Sequence, residues 1–120
     1  MKSSSEKPVK TIEVPFDIVV VCGRNALTIH PGSYQISGSA LRTKRKDAVF
    51  VNELLAVAHR RAAVDPTIRP KPRVKFLVES GGSANFWEAR QQILFSGLGW
   101  PMSLEVTGNQ DPLLLGQEIW

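Results

Sequence analysis

Residues 102–107, MSLEVT, alternate without exception: Met102, Leu104 and Val106 share one face, and Ser103, Glu105 and Thr107 share the other. A strand written this way has one dry side and one wet side. Residues 74–79, VKFLVE, repeat the pattern with Val74, Phe76 and Val78 against Lys75, Leu77 and Glu79. Strands covered on both faces read as continuous apolar runs, so these two do not lie between two helix layers. At 120 residues the chain has the length of one domain and can bury a core without covalent staples. The expectation is an α/β fold: a two-layer sandwich, with a mixed sheet carrying two helices on one face.

The remaining elements follow from pattern and punctuation. PFDIVVVC (15–22) is apolar on both faces, as an interior strand should be. Gly23, Arg24 and Asn25 form a turn, and ALTIH (26–30) completes a hairpin. After the HPG turn, SYQIS (33–37) reads as a third short strand. Ala48, Val51, Leu55, Ala58 and Ala62 recur at helical spacing and predict a helix over 48–63, capped by Asp47. Leu41 continues that stripe, so a preceding helical turn from Ser39 is also expected. Three prolines in DPTIRPKPR (65–73) predict an extended linker outside regular structure. After SGGS (80–83), a second helix is expected from Asn85 to Ser96, with Asn85 and Glu88 at capping-box spacing and Phe86, Ala89 and Ile93 inward. The order is β-β-(β)-α-β-α-β. Residues 1–12 read as a polar arm, 13–108 as the domain, and 109–120 as an apolar tail that docks on this chain or on another.

The motifs assign no chemistry. Gly97-Leu98-Gly99 follows a helix, which is the wrong end for anion binding by helix amides. Gly97 instead reads as a left-handed C-terminal cap, and Trp100 as a lid on the core. Gly81 and Gly82 lie between a strand and a helix, but no Gly-Lys-Ser/Thr follows. The single cysteine, Cys22, and the two histidines, His30 and His59, have no metal-ligand spacing. No catalytic, cofactor-binding or metal residue is assigned. An enzyme built on Cys22 or His30 would need a second polar group beside it. The net charge of +4 is concentrated at Arg42, Lys44, Arg45 and Lys46 and again at Arg69 and Lys71. Without interleaved aromatics these read as solvated faces, and only if the two stretches met in space would they favour an anionic ligand. Trp87, Leu113, Leu114, Leu115 and Trp120 are candidate partner-binding residues. No window is apolar and long enough to span a membrane, and the N-terminus lacks the apolar core of a signal peptide.

The sequence of elements, above all RPKPRVKFLVES, a glycine turn and FWEARQQILFSGLGWPMSLEVT, resembles the periplasmic domain of the ExbD/TolR biopolymer-transport family. TIHPGSYQIS is similar to that family's second strand and turn, and VNELLAVAHRRAAVDP to its first helix; the likeness spans residues 16–107. Two features depart from it. The family's membrane helix, with its aspartate for proton-driven work, is not in this sequence. The family's aspartate after the VKFLV-type strand is replaced by Glu79-Ser80-Gly81-Gly82. The resemblance implies a fold and a binding role, not proton coupling. The expectation is a non-enzymatic domain that binds itself as a homodimer or binds another envelope protein. It is periplasmic or envelope-associated if part of a longer anchored protein, and cytoplasmic if the chain is complete. The alternative is a small basic nucleic-acid-binding module.

Overall fold

Two long strands, β1 (Ile12–Cys22) and β4 (Ile68–Val78), run parallel and pair along all eleven residues. The structure, a computed structural model, describes residues 11–43 and 45–107. β2 (Ala26–His30) and β3 (Tyr34–Ser37) add antiparallel on one side of β1, and β5 (Met102–Val106) adds parallel to β4 on the other. The mixed sheet therefore has the order β3-β2-β1-β4-β5. Helix α1 (Gly38–Thr43), a 3-10 turn (Arg45–Asp47) and α2 (Val49–Val64) join β3 to β4, and α3 (Ser83–Ser96) joins β4 to β5. The result is the two-layer α/β arrangement expected from the alternating strands.

The core lies between the layers. Ile18, Val20, Val74, Phe76 and Val78 face the helices and are buried, as are Phe50, Leu54 and Val57 of α2 and Phe86, Ala89 and Ile93 of α3. Phe86 stands edge-to-face on Phe76, with ring centroids 5.0 Å apart. The opposite face of the sheet is wet. There Arg73 pairs with Asp17 at 2.7 Å, and Lys71 approaches Glu13 at 3.5 Å.

The proline-rich stretch is strand, not linker. Residues 68–73 pair with 12–17, so β1 and β4 project together as a two-stranded ribbon about 20 Å long beyond their neighbours. The prolines are tolerated because of where their nitrogens point. The Val74 N–H donates to Pro101 on the β5 side, and the Glu79 N–H donates to Cys22 on the β1 side. Backbone direction alternates, so Pro70 and Pro72, in step with Val74, turn their nitrogens to the β5 side, where that strand has not begun. Gly23 donates towards β2, so Pro15, in step with it, faces the stretch of β1 that β2 does not reach. All three missing donors fall on open edges and cost the ladder nothing.

The helix starts also differ from expectation. Asp47 belongs to the 3-10 turn, and Ala48, left-handed at φ 52°, takes the cap position of α2 with no side-chain bond. The inward face of α2 is rotated by one residue: the larger Phe50 and Leu54 take the core beside Val51 and Val57, while Ala58 and Ala62 flank Pro70 of the ribbon. α3 begins at Ser83 rather than Asn85. Asn85 is not a cap because its amide is used elsewhere: Nδ2 donates to the carbonyls of Gly23 at 2.8 Å and Arg24 at 3.3 Å, tying α3 to the first hairpin turn. Gly97 does close α3 in the left-handed conformation, at φ 76°. β1 already begins at Ile12, the last residue read as arm.

Candidate interaction surface

The sheet is finished unevenly at β5. Where β1, β2 and β4 lie beneath the helices, at Ile18, Val20, Cys22, Leu27, Ile29, Val74, Phe76 and Val78, the inward side chains are buried, but Met102, Leu104 and Val106 of β5 are only partly so. The reason lies in how α3 is placed. One flank of α3, through Glu88 and Gln92, packs towards α1 and the turn after it: Arg45 donates to Glu88, and Gln92 donates to the Leu41 carbonyl at 2.9 Å. The other flank carries Trp87, Arg90 and Leu94, three and four residues apart on one side of the helix. That flank points away from α1, which follows β3, and so towards the β5 end of the sheet. Leu94 is 51% exposed, and Trp87, Leu98 and Trp100 are half-buried against the core. An apolar shelf thus runs beside the last strand, with the Arg90 guanidinium 5.7 Å from the Trp87 ring centre.

The backbone of β5 matches the shelf. The Thr107 N–H donates to Val78, so the odd residues of β5 turn to β4 and the even ones turn outward. Met102, Leu104 and Val106 therefore direct N–H and C=O groups away from the sheet, at the edge of which β5 lies. The β4 edge of the ribbon is different, because Pro70 and Pro72 carry no donor and the Ile68 N–H is bonded to Asp65; on the β1 edge Pro15 removes one donor between Glu13 and Asp17. A groove of about 520 Å³ does lie along the β4 ribbon edge, against Trp100 and Pro101, but the edge beside it offers carbonyls without matching N–H groups.

The two basic stretches do not meet. Arg42 and Arg45 belong to the helix layer, whereas Arg69 and Lys71 lie on the far face of the sheet, where both approach Glu13, at 4.0 and 3.5 Å. Lys46 is exposed beside Arg45, and Lys44 lies outside the described residues. Trp87 sits on the shelf. Leu113, Leu114, Leu115 and Trp120 lie outside the described residues. Cys22 is fully buried, and burial, with the nearby Glu79 carboxylate second, pushes its thiol up to about 12. A thiol held neutral and away from solvent is a poor nucleophile. His30 has the Ser33 hydroxyl 3.4 Å from Nδ1, on the partly exposed outer side of the sheet.

A second concavity, of about 390 Å³, lies between α2 and α3, with Arg45, Glu88 and Phe95 among its walls. Its polar groups satisfy one another. Arg45 forks onto Glu88 at 2.8 and 2.9 Å, and Gln92 donates to the same carboxylate at 2.8 Å. The Arg45 hydrogen bond, and after it that of Gln92, holds the Glu88 carboxyl below its ordinary value of 4.5 against partial burial. A lowered folded pKa contributes stability above the unfolded value, and that contribution is lost as pH falls through the folded one. Glu88→Gln is therefore expected to lower the Tm at neutral pH. The gap from wild type should narrow as the pH falls below 4.5, as thermal melts at several pH values will report.

Sequence reading singled out Trp87 but not Met102, Leu104 and Val106. The signal was present: a strictly two-faced strand followed by a turn can end a sheet, and an end strand has an open edge. Comparison of the chain with protein-family models, curated proteins and solved structures finds no match.

Proposed function

We propose that this chain is a non-enzymatic interaction domain that accepts a further strand on the open edge of β5, from a second copy of itself or from an envelope partner. The observation that carries this reading is the coincidence of an outward-facing backbone edge with an uncovered apolar shelf. Main-chain bonds at Met102, Leu104 and Val106 would supply affinity, and Trp87, Leu94 and Leu104 would receive alternate side chains of the incoming strand. The resemblance to ExbD/TolR periplasmic domains supports the same role. The nucleic-acid alternative has less support, since the basic stretches lie on opposite faces and Arg69 and Lys71 of the second both approach Glu13.

Leu104→Pro tests the reading. Its N–H points away from β4, so proline there removes no bond from the existing ladder but blocks an incoming strand. Sedimentation equilibrium of the wild type should show concentration-dependent association, and L104P should weaken it by about tenfold or more, the loss of one to two main-chain hydrogen bonds. A wild-type chain that stays strictly monomeric at millimolar concentration, and captures no extended partner peptide at that edge, would sink the proposal.

A further inference from the structure

We infer that the strand received at the β5 edge is β5 of a second copy, paired antiparallel about a two-fold axis centred on Leu104. This rests on the reading of that edge as the binding site and names its partner and register. The backbone sets the first condition. Met102, Leu104 and Val106 turn their N–H and C=O groups outward, and no described residue pairs with β5 on that side. In an antiparallel pair, residues that face each other in this way exchange both main-chain bonds. A two-fold centred on Leu104 sets Leu104 against its own copy and Met102 against Val106 of the second copy, so every outward group of the strand finds a partner. Centring on Ser103 instead leaves Val106 opposite Trp100, before the strand begins, and centring on Glu105 leaves Met102 opposite a position past its end.

The side chains choose the same register. On the helix side, partly buried Met102, Leu104 and Val106 meet the same apolar row of the second copy. On the outer face Ser103 stands opposite Glu105 of the second copy, hydroxyl to carboxylate, and Glu105 keeps Lys75 of its own chain at 3.7 Å. The Glu105-centred register would set two carboxylates directly opposite each other, which is destabilising. A two-fold perpendicular to the sheet also leaves both helix layers on one face. There α3 packs over β1 and β4, set back from the axis. The pairing closes on itself, as an isologous contact must. The other sheet edge, β3, does not compete. It has four residues, and the Gly38 N–H donates to Asn25 on the β2 side, so only Gln35 and Ser37 turn outward. It also runs parallel to β5, so joining the two edges would be open-ended and weaker per residue.

Cysteine cross-linking of the full chain reads the register. Ser103→Cys and Glu105→Cys fall at exposed positions, and the native Cys22 is buried. In the inferred pair, position 103 faces position 105 of the second copy with Cα atoms about 4.5 Å apart, within disulfide reach. Each position lies about 7–8 Å from its own copy, which is too far. Under copper phenanthroline, an equimolar mixture of S103C and E105C should form a disulfide between the two different chains, identified by peptide mass. It should do so about tenfold or more faster than either variant alone links to itself. Adding L104P to both chains should slow the linkage by a similar factor, and sedimentation of the wild type should level off at twice the monomer mass. Rapid self-linkage of S103C or of E105C overturns the inference by moving the axis, as do assemblies that grow past two chains. If association is sensitive to L104P but the mixture does not cross-link, the inference falls and the edge-binding reading stands. If the wild type neither associates nor captures an extended peptide, both fall.

Discussion

Gly82→Ala should destabilise the protein by about 3–5 kcal/mol, in the range reserved for forced overpacking of a rigid site. A Cβ built on Gly82 would lie 2.0 Å from the carbonyl oxygen of Cys22, 2.8 Å from its carbonyl carbon and 3.1 Å from the carbonyl oxygen of Glu79. All three are main-chain atoms at the ends of β1 and β4, paired with each other through the Glu79–Cys22 bond, so none can swing aside as a side chain would. The backbone angles at Gly82, φ −94° and ψ 3°, are open to any residue. The requirement is therefore space: α3 can start against the end of β1 only if nothing projects from this position. Gly97→Ala is the matched control. Gly97 is left-handed at φ 76° with open space where a Cβ would stand, so its cost is conformational alone and about 1 kcal/mol. Urea denaturation of both variants tests the claim. Similar midpoints for the two would show that the close approach at Gly82 relaxes cheaply.

Phe86→Ala is the second large effect, at about 3–5 kcal/mol. Phe86 is fully buried and makes the edge-to-face contact with Phe76 that joins α3 to β4. Its loss removes both the transfer term and an aromatic pair, and leaves a cavity in the middle of the core. Phe86 also supports the shelf. Its ring lies 5.0 Å from that of Trp87, so truncation takes away the surface that orients the indole over the β5 flank. The association proposed at β5 should weaken in F86A even under conditions where the variant is fully folded. Denaturant melts followed by tryptophan emission report the stability change, and sedimentation at low temperature reports the binding change. A variant less stable by under about 1 kcal/mol would mean that Phe76 and Trp87 collapse into the space.

The alternation at 74–79 and 102–106 was enough to read one wet face, and from that the two layers. The Gly97 cap and the 26–30 strand were equally legible, because each depends on residues close in sequence. The ribbon was not. Pro70 and Pro72 disrupt a strand or suit it according to which neighbour their nitrogens face, and that is set by the sheet order, a property of the whole chain. Asn85 misled for a related reason: its spacing to Glu88 fits a cap, but the hairpin turn brought beside it by folding claims its amide first. Reading the α2 stripe through its alanines missed that volume decides between neighbouring stripes, and Phe50 and Leu54 win the core. For the site, Trp87 stood out as an aromatic one step off the core stripe, which is where it sits. The β5 edge did not, since alternation specifies faces and not neighbours.

Pulled at Ile12 along the ribbon axis, with the body held at β5, the chain would load its β1–β4 ladder in shear. The bonds from Ile12–Thr67 at one end to Glu79–Cys22 at the other would then stretch together instead of breaking one at a time, as they would if β1 were peeled sideways. Rupture under such a load is governed by the unfolding barrier rather than by equilibrium stability. The ribbon is thus a stiff handle. A tug on residue 12 arrives at Cys22, against which Gly82 and the start of α3 rest, so a longitudinal force on one tip of the molecule is felt directly at the start of α3.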